Sequence, residues 1–96
     1  MFAVFVTFEV KPEFRDVFVK RMHQQAEDSL EKEKDCGIFE VWLDSKTPNR
    51  VQLYEVYMDA AAFDIHLQSA HFKDFDATIG EMIVSKTIST FDQKLS

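Results

Sequence analysis

Glycine, cysteine, paired histidines and net positive charge are all scarce in this chain of 96 residues, and each scarcity closes off a class of function. The two glycines, Gly37 and Gly80, are too few and too far apart to build a phosphate-cradling loop. The single cysteine, Cys36, has no partner for an internal disulfide, which fits a reducing compartment. Cys36 is also a poor nucleophile, because it follows a helix end whose negative pole disfavours the thiolate. With 17 acidic residues against 11 basic ones the chain carries a net charge of −6, so it has no basic face to neutralise phosphates and nucleic acid is not an expected partner. No apolar run approaches membrane-spanning length and no basic leader precedes the first apolar residues, so a soluble, cytoplasmic protein with no membrane partner is expected. The three histidines form no His-x-x-x-His or His-x-His pair. His66 and His71 are five apart, a spacing that does not share one face of a continuous helix, so no metal is expected, and no other cofactor either.

What the chain does have is apolar bulk in alternating and helical patterns. Hydrophobic residues make up 46% of it, ten of them Phe, enough for a core in one domain over residues 1–96, although so small a domain has much surface for its volume. Phe2, Val4, Val6, Phe8 and Val10 alternate with Ala3, Phe5, Thr7 and Glu9, which predicts a strand with one wholly apolar face and one mixed face. Lys11-Pro12 ends it, since proline suits the first turn of a helix and not a strand interior. A long helix follows over about residues 12–34, with Phe14, Val17, Phe18, Met22, Ala26 and Leu30 as its inward stripe. Cys36-Gly37 is expected to stop it, with Gly37 left-handed. Residues 38–44 and 51–58 read as a hairpin about the Pro48-Asn49 turn. Asp59 and Ser69 are capping residues for two short helical segments, with Met58 and Phe63 placed as a hydrophobic staple over the first. After Gly80 a fourth strand runs over about residues 83–91. No repeat, low-complexity segment or linker interrupts the pattern.

The order β-α-β-β-α-β is that of an α+β, ferredoxin-like fold, an antiparallel sheet with helices on one face. Its strands are apolar on both sides: Phe5 opposes Val4 and Val6, and Trp42 opposes Val41 and Leu43. Helices cover only one side, and an apolar sheet face of this size does not usually persist in water. The sequence therefore predicts a homodimer, with sheet packed on sheet.

Against this apolar background the polar exceptions stand out. Gln25 and Ser29 fall inside the inward stripe of the long helix, where they either bond to nearby backbone or tip a ligand pocket. His66 shares a helix face with Phe63 and Leu67 and points inward. A neutral imidazole there donates at one nitrogen and accepts at the other, so His66 is either a general base or a satisfied core histidine. His71, in the first turn of the next segment, either polarises a substrate oxygen at the pocket rim or plays a capping or surface role. Glu55, in a central strand, is either a pocket carboxylate that orients a histidine or a group facing a dimer partner. His23 reads as a surface histidine, and the charge run Glu31 to Asp35 as a solvated helix end.

Two stretches, Cys36-Gly37-x-Phe39-x-Val41 and Leu53-Tyr54-Glu55-x-Tyr57-x-Asp59-x-x-Ala62-Phe63-x-x-His66-x-x-Ser69-x-His71-Phe72, resemble the antibiotic biosynthesis monooxygenase family, and the resemblance extends over nearly the whole chain. It implies a small dimeric α+β barrel with one of several activities: cofactor-free oxygenation of quinols and polyketide anthrones, haem degradation, or isomerisation of the phosphorylated autoinducer-2 signal. Haem-degrading relatives carry a Trp where this chain has His66 and a His ligand where it has Asp76, which sets a haem role aside. Many quinol-oxygenase and isomerase relatives place a His about three residues before Ser29. This chain has Ala26 there, with His23 one turn earlier, so first-helix catalytic roles do not transfer directly. The expectation is a cofactor-independent monooxygenase acting on a small quinol, anthrone or related aromatic compound. His66 and His71 are its catalytic residues, and Gln25, Ser29, Met22, Phe39, Tyr54, Glu55, Phe63 and Phe72 form its substrate pocket. The alternatives are an isomerase of a small phosphorylated hydroxycarbonyl compound and a non-catalytic dimeric ligand-binding or stress protein.

Overall fold

The alternation of the first strand is realised residue by residue. In the computed structural model, which describes residues 1–96, β1 (Phe2–Val10) buries Val4, Val6, Phe8 and Val10. Strands β2 (Cys36–Leu43), β3 (Arg50–Tyr57) and β4 (Ile83–Phe91) join it in one antiparallel sheet of order β2-β3-β1-β4. The fold is thus the α+β, ferredoxin-like arrangement that the element order implies. Pairing assigns the faces. Val4 lies opposite Glu55, Val6 opposite Leu53 and Ile88, and Phe8 opposite Val51 and Lys86, so all of these share one face.

Three helices cover that face: α1 (Arg15–Lys32), entered through a 3₁₀ turn at Pro12–Phe14, then α2 (Ala60–Gln68) and α3 (Ala70–Ile79). Phe18, Met22 and Ala26 of α1, Ala62 of α2, and Phe75 and Ile79 of α3 close over the β1 valines and Phe8 as one core. The inward stripe of α1 is narrower than the expected one. Phe18, Met22, Gln25, Ala26 and Ser29 are buried, while Val17 and Leu30 are exposed. Gln25 and Ser29 lie inside the stripe as their positions predict, and Val17 and Leu30, at its two opposite edges, fall outside the core. The helix also ends earlier than expected. Glu33 is already extended, and a turn closed by the Cys36 N–H on the Glu33 carbonyl (3.1 Å) leads straight into β2. No residue there is left-handed, so Gly37 is a strand residue beside a register shift and not a helix cap.

The opposite sheet face is open. At one end Phe5 stacks on Tyr54 with ring centres 5.1 Å apart and meets Phe91 at 5.8 Å. Towards the other end the polar groups pair among themselves: Thr7 donates to Gln52 (2.6 Å), Arg50 to Glu9 (2.6 Å) and the Trp42 indole to Glu40 (2.9 Å). No helix is long and apolar enough to cross a membrane.

Candidate functional site

The corner between α2 and α3 is made by one hydroxyl. Asp59 caps α2 by accepting from the Ala62 N–H (2.8 Å), as its side chain predicts. At the other end of α2, Ser69 donates to the His66 carbonyl (2.7 Å) and accepts from the Phe72 N–H (3.2 Å), so it closes one helix and opens the next. The break folds His71 back towards His66, with ring centres 5.8 Å apart, a proximity that their spacing denies in an unbroken helix. Phe63 rests on Tyr57 (5.3 Å) and Phe2 (5.7 Å), and Met58, the expected staple partner, is 59% exposed.

Both histidines meet the same carboxylate oxygen. Glu33 Oε2 lies 2.8 Å from His66 Nδ1 and 2.7 Å from His71 Nε2, the second contact being out of line for a hydrogen bond. The charge run expected to be a solvated helix end therefore supplies a site residue, and the Glu33 side chain is only 9% exposed. The remaining nitrogen of His71, Nδ1, accepts from Gln25 Nε2 at 3.2 Å, while Gln25 Oε1 is buried with no partner. Gln25 and Ser29, treated alike in the sequence, divide here. Ser29 donates back to the Gln25 carbonyl (2.9 Å), a local helix bond, whereas the Gln25 side chain reaches across to α3. Gln25, Ser29 and Glu33 form one row at i, i+4 and i+8, the signal in the sequence that pointed to Glu33.

Two spaces flank the cluster of Glu33, His66 and His71. On one side is an open recess of about 560 Å³ walled by Glu33, His71, Ser69, Gln68, Asp64 and Lys32. On the other is a small apolar cavity of about 30 Å³, room for a water or two, between the helices and the sheet. Phe39, Phe63 and Phe72 form its aromatic wall, and Gln25, Glu55, His66 and Lys86 are its polar members. The remaining pocket candidates lie elsewhere. Met22 belongs to the core, Ser29 is spent on its own helix, and Tyr54 is on the open sheet face against Phe5. His23 is on the surface beside Glu27 at 3.3 Å. Lys86 was missed. Its register opposite Phe8 puts it on the covered face of β4, where its ammonium lies 5.6 Å from the Phe8 ring and 5.9 Å from Phe72.

The electrostatics follow from burial. Desolvation, with a smaller contribution from Lys86, lowers His66 to about 4, so its ring is neutral near pH 7. Glu55 faces the cavity and accepts from the Tyr57 hydroxyl at 2.6 Å, yet burial outweighs that bond and raises its carboxyl to about 7. Burial also raises Glu33, against the pull of His71. Cys36 is pushed up to about 12, chiefly by burial and then by Glu33 and Glu55, so its thiol is inert. With a neutral His66 donating Nδ1–H to Glu33, its Nε2, which makes no hydrogen bond to the chain, carries the lone pair. A carboxylate behind an imidazole fixes its tautomer and stabilises the imidazolium formed when Nε2 takes a proton. Glu33, His66 and His71 are also the one group in the structure whose donor atoms converge as metal ligands would, all within 4.8 Å of one another.

The family profile of the antibiotic biosynthesis monooxygenases matches residues 1–78. The chain belongs to that family. Among solved structures it is similar to a crystal structure of an antibiotic biosynthesis monooxygenase, at 25% identity and TM-score 0.88 over 98% of this chain and 99% of that one. A conserved protein from Methanosarcina mazei Go1 matches at 26% identity and TM-score 0.89, over 97% of this chain and 92% of that one. A candidate antibiotic biosynthesis monooxygenase from Nitrosomonas europaea shares the fold at TM-score 0.92 and 21% identity, with both chains covered in full. No curated protein matches the sequence. Family membership supports a monooxygenase-like function for this chain and leaves the substrate open.

Proposed function

We propose that the chain is a cofactor-independent monooxygenase of a small quinol, anthrone or related electron-rich aromatic compound, with His66 as its general base. The observation that carries this reading is the free Nε2 of His66, beside an apolar cavity and backed by Glu33 at 2.8 Å. For an anthrone the reaction balances as R₂CH₂ + O₂ → R₂C=O + H₂O. His66 Nε2 takes a proton from the acidic carbon. The carbanion transfers an electron to O₂ and the pair combine as a peroxide anion. The imidazolium returns its proton, and the hydroperoxide loses water to leave the ketone. Lys86 and the protonated form of Glu55 are the cavity groups suited to anionic oxygen, by charge and by O–H donation. Aromatic walls exclude the water that would compete. A cavity of about 150 Å³ is known to take benzene, so a substrate ring has to part the wall at Phe72 and Leu67.

The proposal includes a homodimer in the cytoplasm, joined through the open sheet faces, because Phe5, Trp42 and Phe91 are otherwise left to water. Oxygen uptake over a panel of quinols and anthrones tests the reading. His66→Ala, if folded, should lose about 10²- to 10⁴-fold in rate. An unchanged rate on the best substrate removes His66 from the chemistry, and turnover without O₂ consumption moves the protein to the isomerase reading.

A further inference from the structure

We propose that Glu33, His66 and His71 form a binding site for one divalent transition-metal ion of the zinc type, open to the recess and independent of any substrate in the cavity. The three side chains come from the end of α1, from α2 and from α3, and they present two imidazole nitrogens and a carboxylate oxygen within 4.8 Å of one another. Two histidines and one carboxylate with remaining positions open to water is a known zinc donor set, and it also suits other late first-row divalent ions. Bonds of about 2.0–2.1 Å in a tetrahedral arrangement put donor atoms roughly 3.3 Å apart. The contacts to Glu33 Oε2 are 2.8 and 2.7 Å and must open by about half an ångström, while the two histidine nitrogens, within 4.8 Å of each other, have to draw together to receive the ion.

Two orphaned atoms point the same way. The chain has three buried side-chain polar atoms without a hydrogen bond, and two of them, His71 Nε2 and Gln25 Oε1, belong to this cluster. With Nδ1 accepting from Gln25, Nε2 carries the His71 proton, and that N–H is out of line for Glu33 despite the short distance, so the two atoms lie side by side without a bond between them. With an ion on Nε2, the proton of His71 moves to Nδ1, and turning the Gln25 amide end for end puts Oε1 in place to accept it. His71 Nε2 is then satisfied by the ion, and its far nitrogen by Gln25 Oε1, the kind of partner that metal-bound histidines ordinarily have, while the Gln25 amide nitrogen takes over the unpartnered place beside the cavity. The recess provides the entry path. Its one cation, Lys32, lies 3.7 Å from Asp28, while Asp64 adds negative charge.

The site also bears on the proposed reaction, and this clause rests on the assignment of His66 as the base. Metal on Nδ1 moves the imidazole proton to Nε2, the nitrogen that must be free to accept one. The ion and base catalysis therefore exclude each other, and the metal acts as an inhibitor that never touches the substrate.

Calorimetric titration of the metal-free chain with Zn²⁺, in the absence of substrate, tests the site. One ion per chain is expected. His71→Ala and the near-isosteric Glu33→Gln should each weaken binding by more than about 100-fold, and Gln25→Ala by the ~10- to 100-fold that a supporting partner is worth. Ring-nitrogen NMR should show the His66 proton shift from Nδ1 to Nε2 as Zn²⁺ is added. No binding, or binding that all three variants keep, overturns the site. Zn²⁺ binding in a protein that oxidises no aromatic compound keeps the site and removes the oxygenase. Oxygen uptake that Zn²⁺ leaves untouched in a chain without calorimetric binding does the reverse.

Discussion

The two faces of the sheet carry polar residues to opposite effect. On the open face three polar pairs form within the sheet itself, Thr7 with Gln52, Glu9 with Arg50, and Trp42 with Glu40. On the covered face Gln25, Glu55 and His66 are 1–3% exposed; Glu55 pairs along its own strand with Tyr57, the bonds of Gln25 and His66 run between elements, and Gln25 Oε1 is unmatched. Burying polar groups with incomplete partners costs stability, and a fold keeps such groups where another demand requires them. The same residue types are thus paired and at least partly exposed on one side of a single layer of backbone, and buried beside a cavity on the other.

That contrast can be broken by experiment. The largest effect is expected from the site itself. Glu33→Gln, which keeps the shape and removes the charge behind His66, should lower kcat by about 10²-fold or more with KM little changed, since the imidazolium it stabilises forms only during the reaction. An equal loss in His23→Ala, out on the surface, would show that the rate does not depend on the cluster. Next comes the core. Phe18→Ala on the covered face should cost about 3–5 kcal/mol in denaturant titration, against roughly 1 kcal/mol or less for Phe5→Ala if the open face stays in water. A large, concentration-dependent cost for Phe5→Ala would mean that the open face is covered by a second chain.

Stability against pH separates the two buried titrating groups. Glu55 is raised from 4.5 to about 7, so across that window the native state holds a proton that the unfolded chain has released. Its contribution is full below 4.5 and lost as pH rises through 7. His66 is lowered from 6.5 to about 4, so its contribution is present above 6.5 and lost as pH falls through 4. The two oppose each other, and Glu33, raised like Glu55, adds to the Glu55 side. Glu55→Gln should therefore steepen acid destabilisation, by about 2–3 kcal/mol across the window, while His66→Phe should leave a protein that weakens as pH rises. Parallel profiles for the two variants would contradict the assignments. The smallest effect belongs to the open face. Arg50→Ala, which breaks an exposed ion pair with Glu9, should change stability by about 1 kcal/mol or less and leave the rate alone.

Strand alternation and capping chemistry made the fold legible, because both are local. The first strand, the Asp59 and Ser69 caps and the fourth strand all followed from residues within a few positions of one another. His66 was readable as inward-facing for the same reason. Glu33 was not, because its charged neighbours Glu31, Lys32 and Lys34 look like a solvated helix end, and only the turn into β2 aims it at α2. The row Gln25, Ser29, Glu33 held the clue, but the apolar stripe was drawn through Leu30. Lys86 was hidden because the face of an edge strand depends on its register with β1. The side taken by Glu55 was open in the sequence for the same reason.

The Ser69 hydroxyl has one further consequence. His66 and His71 sit on separate levers, α2 and α3, joined at Ser69, whose hydroxyl bonds to both. A swing at that joint wide enough to admit an aromatic ring past Phe72 carries His71 away from His66 and Glu33. In the proposed reaction, admission of a guest and assembly of the three-residue cluster are then two phases of one movement. A molecule too bulky to let the corner close would leave the cluster unassembled without touching any of its three side chains.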